Sequence, residues 1–187
     1  RNGAIRKALT VPKDKMLVAC DSSQIEARMV AYISDQKDLV EAFRQGRDVY
    51  SEFASEIYGR KITKQDKLER FVGKTCILGL GYGMGAEKFK NTLALGQGGM
   101  SVDIDINEAQ RIVNLYRQKN HKIVSFWSVC NYALRGILHN RSDSLRDDML
   151  EFDSSGILLP NGLRIRYPML RKSMDGFEYI SNARTYR

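Results

Sequence analysis

The 187-residue chain has little cysteine: Cys20, Cys76 and Cys130, widely spaced and without a Cys-x-x-Cys pair. An odd number so placed excludes a disulfide framework and supplies no zinc-site spacing; it suits a reducing cytoplasm. No apolar run approaches the roughly 20 residues of a membrane-spanning helix, and no secretory leader opens the chain. Internal repeats and low-complexity stretches are missing too, which leaves solenoids and disordered linkers aside. Negative charge is the scarcer sign, with 22 Asp and Glu against 30 Lys and Arg and a net charge of +8. The resulting pI, near 9.4, suits a polyanionic partner, because clustered cations release counterions from phosphates. An ordinary basic surface accounts for the charge equally well. The chain opens on Arg1 rather than Met, and the expectation is an internal piece of a longer protein.

What is present is 43% hydrophobic, enough for one good-sized core or two small lobes. Residues 16–20, MLVAC, read as a short buried strand ending at Asp21. Ser23 and Glu26 have the spacing of a capping box, and a helix should follow with Ile25, Met29 and Ile33 along one face. Further helices are expected at Leu39–Phe43 and at Val49–Tyr58, the latter closed by Gly59. Another should span about 64–78, capped by Thr63 and breaking into the glycine-rich stretch Gly79–Gly85. Helices from near Asn107 and over about 123–138 complete the set. Near the end, Asn161-Gly162 between apolar-alternating runs signals a tight hairpin turn. The pattern predicts an α+β protein, mostly α.

Arg70, Lys74 and Leu78, with Tyr82 beyond, recur in steps of four and so share a broad helical stripe. Two cations one turn apart repel unless an anion sits opposite, and a triphosphate would fit them. Leu78 and Tyr82 would then cover a sugar and base; the alternative is a solvated face with the two as core. Asp21, at a strand end, is placed to hold a hard cation, or else simply starts the helix. Glu26 has a sound role as the capping-box acid.

Together these residues resemble family A DNA polymerases. CDSSQIEAR is similar to the family's first motif, commonly DYSQIELR, through Asp21, Ser23, Gln24, Ile25, Glu26 and Arg28. ERFVGKTCILGLGYGMG resembles the second, RxxxKxxxFGxxYG, through Arg70, Lys74, Gly79, Tyr82 and Gly83. The flanks RNGAIRKALTVP, AFRQGRDVYSEFASEIYG and LPNGLRIRY look similar as well, and the texture is that of the bacteriophage branch. The resemblance implies the palm and fingers of a right-hand polymerase. Residues 1–34 would be palm, 35–140 fingers, and 141–187 a connection with a C-terminal β-hairpin.

Residue by residue, it implies that Asp21 and the Ser22 carbonyl bind Mg2+, one of two ions in the complete enzyme. Glu26 would exclude a ribose 2′-hydroxyl, with a hydrogen bond to Tyr82. Arg70 and Lys74 would bind the triphosphate, Lys74 also protonating the leaving pyrophosphate. Tyr82 and Gly83 would meet the template base pair, and Tyr50 stands where the family often has histidine. Primer-template DNA and deoxynucleoside triphosphates are the implied partners, with no membrane and a processivity partner undefined.

Three departures stand out. Ser22 replaces the usual Tyr, and Leu78 the usual aromatic residue beside the sugar, which should alter nucleotide discrimination. The third motif, His-Asp-Glu, has no match: His121 precedes Lys-Ile, His139 precedes Asn-Arg, and Asp147-Asp148 reads as surface. The missing aspartate is expected beyond Arg187, and the piece alone should turn over little. Two other readings are a single-subunit RNA polymerase, against which Glu26 argues, and a helical nucleic-acid-binding module without chemistry.

Overall fold

The computed structural model describes residues 8–174, 176–181 and 184–186; residues 1–7 of the first flank lie outside them. Seven α-helices whose bounds lie within the described residues precede the strands: α1 (Ile25–Ile33), α2 (Lys37–Arg44), α3 (Val49–Tyr58), α4 (Lys67–Thr75), α5 (Ala86–Leu95), α6 (Ile106–Lys119) and α7 (His121–Leu138). A π-helical turn, Cys76–Leu80, extends α4. Two small antiparallel sheets follow. The first runs β1 (Asp143–Leu145), β2 (Leu150–Asp153), β3 (Gly156–Leu158) and β4 (Arg164–Ile165) in sequence order. The second holds β5 (Arg171–Ser173), β6 (Gly176–Ser181) and β7 (Arg184–Tyr186). The α+β expectation, mostly α, therefore holds. Among the described residues no helix is long and apolar enough to cross a membrane.

The helices bury one core, in which Phe53, Val72, Leu80, Phe89, Ile112 and Tyr116 are nearly or fully excluded from water. Helices α3 and α4 pack with unusually close backbones, and Gly73 is the reason. A Cβ built there would lie 2.1 Å from the Tyr50 carbonyl oxygen, so only glycine permits the approach. A second, smaller core joins α7 to the first sheet through Ala133, Ile137, Leu145, Leu150, Phe152 and Ile157. Buried Gln36 ties the two ends of the helical part together. Its amide donates to Asp38 Oδ1 (2.6 Å) and the Lys119 carbonyl (3.3 Å), and its oxygen accepts from Lys122 N (3.1 Å).

Several local expectations need correction. Residues 16–20 form no strand, and Met16, Leu17 and Val18 are 83, 60 and 78% exposed. A strand needs a neighbour to complete its backbone hydrogen bonds, and no described segment pairs with this one. The capping box does not form either. Gln24, in the left-handed region at φ 57°, is the N-cap of α1, and no side chain caps the helix. The buried face of α1 is Ala27 and Ala31, while Ile25 and Met29 stay 47 and 44% exposed; small side chains let the helix sit close against its neighbours. Helix α4 starts at Asp66–Lys67, later than expected, because Thr63 turns back. Its N–H and hydroxyl both donate to Asp66 Oδ2, at 2.8 and 2.9 Å.

Elsewhere the expectations hold. Helix α3 spans the residues foreseen and ends on Gly59 at φ 63°. Asn161-Gly162 turns the β3–β4 hairpin, with Ile157 opposite Ile165 and Leu158 opposite Arg164. The β1–β2 pairing and the second sheet went unforeseen, their strands being mostly three or four residues long. Asp147 and Asp148 are exposed.

Candidate active site

One open cleft of about 460 Å³ gathers most of the singled-out residues. Residues 21–26 form one wall; Tyr50 from α3 and Arg70, Lys74 and Leu78 from α4 and its π-helical extension form the other. A π-turn carries more residues per turn than an α-helix and is frequent at functional sites. Leu78, within this turn, lines the same cleft as Arg70 and Lys74 before the chain turns away at Gly81–Gly83. Trp127 Nε1 of α7 donates to the Gly81 carbonyl at 3.0 Å and fixes that turn.

The cationic wall is pre-positioned. Arg70 donates from Nε to Asp48 Oδ2 at 2.7 Å and from an Nη to Oδ1 at 3.2 Å. Its guanidinium also stacks 5.3 Å from the centre of the Tyr50 ring. A two-pronged pair on a partly buried carboxylate holds a guanidinium in one plane. Burial pushes the Asp48 carboxyl up, but hydrogen bonds from Arg70 and Ser51 and the Arg70 charge outweigh it and leave it below the usual carboxylate value. Burial raises the Tyr50 phenol, partly opposed by the nearby Gln24 side chain and the Arg70 charge. Lys74 has no ion pair among the described residues.

The acidic wall is more open. Asp21, Ser22 and Glu26 are exposed, and neither carboxylate has an ion pair among the described residues. The Ser22 carbonyl accepts only a long hydrogen bond, from Ile25 N at 3.4 Å. Tyr82 is 59% exposed and does not line the cleft. Its hydroxyl reaches the backbone carbonyl of Glu26, at 3.5 Å, rather than the carboxylate. Burial and the Glu26 charge raise the Tyr82 phenol. Gly83, at φ 79°, follows in the same turn and is exposed as well. Among the described residues no cluster of three or more His, Cys, Asp or Glu is arranged to hold a metal.

Asp48 and Gly73 are site-building residues that the sequence reading missed, and Gln24 entered it only as part of the first motif. Asp48 lies 22 positions from Arg70, and no periodicity links them. Gly73, within the cationic motif, was the one legible signal: a glycine inside a helix costs stability unless a close approach requires it.

Much of the sequence is similar to known proteins. Residues 1–135 match the family model described as DNA polymerase family A. The chain is 36% identical over 113 residues to DNA polymerase I of Helicobacter pylori, a match covering 60% of this chain and 11% of that protein. It is 35% identical over 119 residues to the thermostable DNA polymerase I of Thermus aquaticus, covering 64% of this chain and 13% of the relative. Identity reaches 40% over 82 residues with DNA polymerase I of Chloroflexus aurantiacus, covering 44 and 9%. The matched region spans about a tenth of the length of these relatives. With most of its residues inside the family match, the chain belongs to DNA polymerase family A.

Proposed function

We propose that this chain carries the nucleotide-binding part of a DNA-directed DNA polymerase. The observation that carries the reading is the single cleft in which Asp21 and Glu26 face Arg70 and Lys74. Opposed carboxylates and cations suit a nucleoside triphosphate, whose anionic tail lies on the cations and whose sugar lies toward Glu26. On this reading the segment through α1 is palm and the helices from α2 to α7 are fingers. The parent protein is of bacteriophage type and acts on primer-template DNA.

The reaction joins a primer 3′-hydroxyl oxygen to the α-phosphorus of the deoxynucleotide. The bond from that phosphorus to the bridging oxygen breaks, pyrophosphate leaves, and the hydroxyl proton is lost to solvent. Arg70, held by Asp48, orients the tail, and Lys74 delivers a proton to the leaving pyrophosphate; positioning and electrostatics supply most of the rate. Glu26 occupies the space a 2′-hydroxyl would need. Leu78 provides an apolar wall beside the sugar, and Tyr82 and Gly83 border the template base. Asp21 and the Ser22 carbonyl are oxygen donors of the kind Mg2+ prefers, and they would hold part of its coordination sphere. When bound, the metal stabilises charge on the phosphate oxygens.

The test is nucleotide binding by the chain itself. Lys74→Ala should weaken a deoxynucleoside triphosphate about tenfold, in line with a lost charge-assisted hydrogen bond. Glu26→Ala should narrow the gap between deoxy- and ribonucleotide affinity. Unchanged affinity in the first variant would remove the reading. In the protein bearing this segment, Leu78→Phe should change the ratio of dideoxy- to deoxynucleotide incorporation.

A further inference from the structure

Helix α1 carries Glu26 in its first turn and begins just after Asp21, so its placement sets the acidic wall of the cleft. It lies between the two cores. Ala27 and Ala31 belong to the larger one, and Ile33, in the last turn, packs against the smaller one that joins α7 to the first sheet. A helix leaves its last carbonyls without partners of its own, and the negative end of its dipole attracts a cation. Helix α1 has no basic residue in its last turn. The cation comes instead from the turn between β1 and β2, 113 positions along the chain. Arg146 donates from Nε to the Ile33 carbonyl at 2.9 Å, reaches Asp35 Oδ1 with Nη2 at 3.1 Å, and donates from Nη1 to Asp147 Oδ2 at 2.7 Å. All three guanidinium nitrogens are engaged, and the side chain is 21% exposed.

The turn that presents Arg146 is strained. Arg146, Asp147 and Asp148 lie consecutively in the left-handed region, at φ 57°, 53° and 60°. None is glycine, so each carries a backbone cost that its surroundings must offset. A glycine-based turn would close the same hairpin with less strain; what this backbone adds is the direction of the Arg146 side chain. Asp35, the acceptor on the other side, is left-handed as well, at φ 61°. Residues 136–187 lie outside the family match, so the contact comes from a part of the chain that the family model does not cover.

We propose that Arg146 is a positioning residue: it latches the C-terminal end of α1 to the first sheet and thereby holds Glu26 at its distance from the cationic wall. The inference rests on the reading that Glu26 excludes a ribose 2′-hydroxyl. A helix is stiff along its axis, so freedom at Ile33 becomes a tilt at Glu26. At that end the contact between the Tyr82 hydroxyl and the Glu26 carbonyl is long, at 3.5 Å, and corrects little of it. A group that separates a hydrogen from a hydroxyl must be held to within roughly 0.5 Å.

Amide hydrogen exchange on the 187-residue chain tests the latch without any enzymatic assumption. Arg146→Gln should lower the protection of α1 about tenfold, equivalent to about 1.4 kcal/mol, and leave α3 within about twofold. Arg164→Gln breaks an ion pair of the same sheet, with Asp153, that does not touch α1, and should leave both helices unchanged. Unchanged α1 protection in Arg146→Gln, or an equal loss in Arg164→Gln, would overturn the latch. Should Arg146→Gln fail to fold, Asp35→Asn removes one contact of the three; its smaller loss should be confined to α1, and a loss shared equally with α3 would count against the latch.

Single-nucleotide incorporation by the protein bearing this segment tests the positioning role. Arg146→Gln should lower the preference for deoxy- over ribonucleotide about fivefold, mainly through a lower ribonucleotide KM. Arg146→Lys keeps the charge and should restore part of it, and Arg164→Gln should change the ratio less than about twofold. Loosening of α1 with an unchanged ratio would overturn the positioning role. If Glu26→Ala also leaves the ratio unchanged, the fault lies with the reading of Glu26, and the exchange result alone decides the latch.

Discussion

Residues 21–26, with the segment that leads into them, and helix α4 supply opposite sides of the same cleft, and they are built in different ways. Both are short and both carry apolar residues. In α4 and its extension, Phe71, Val72, Cys76 and Ile77 are buried against α3, α5 and α6. In the segment that leads into the other wall, Met16, Leu17 and Val18 face water. A helix closes its backbone hydrogen bonds within its own segment, so its apolar face needs only something to pack on. A strand depends on a neighbour for the backbone itself. The cationic half of the site is thus specified by nearby chain, whereas the acidic half is specified only from the start of α1 onward.

This contrast can be broken experimentally. The largest effect should come from Gly73→Ala, whose new methyl would lie 2.1 Å from the Tyr50 carbonyl. Separating α3 from α4 should cost about 3 kcal/mol, read as a lower urea midpoint. Should stability hold within experimental error, the close approach is not what sets the cationic wall.

Asp48→Asn should come next, costing about 2 kcal/mol by loosening a charge-assisted, two-pronged contact. The same pair predicts a pH dependence. The Asp48 carboxyl is held below its ordinary value of 3.8, so its contribution is present above that pH. It should be lost as acid takes the pH down through the lower, folded-state value. The Asp48→Asn variant should lack that component of acid destabilisation.

Thiol labelling compares the walls directly. Cys20 is exposed and Cys76 buried, and burial pushes the Cys76 thiol well up. Cys20 should therefore react with a disulfide reagent in the native protein, and Cys76 only on unfolding. Equal rates would mean that the helical core opens as readily as the exposed segment. The smallest effect belongs to Leu17→Thr, which should move stability by less than about 0.5 kcal/mol, as at other exposed positions. A larger loss would show that Leu17 is packed in solution.

Much of the helical framework was legible because it repeats a local rule. Val49–Tyr58 with Gly59 at its end needs no knowledge of the rest of the chain, and Asn161-Gly162 marks its hairpin for the same reason. Boundaries failed where a side chain had a choice of partners. Ser23 and Glu26 had capping-box spacing, but Gln24 took the left-handed position and α1 began without a side-chain cap. Thr63 bonded to Asp66 instead of capping the helix directly. Periodicity set Ile25, Met29 and Ile33 along one face of α1 but did not say which face would be buried; packing buries Ala27 and Ala31.

By itself, the sequence picked out most of the groups that line the cleft, along with Tyr82 and Gly83, which do not line it. Asp21, Glu26, Arg70, Lys74 and Leu78 stand in two short motifs whose chemistry fits one kind of ligand, and most of the intervening helices follow from local periodicity. The tertiary structure alone decided how those groups meet. Asp48 reaches Arg70 across 22 residues, Gly73 lets two backbones touch, and Arg146 reaches the end of α1 across 113 residues. Such contacts join elements distant along the chain. Their energies depend on packing and desolvation in three dimensions, which no spacing within a motif records.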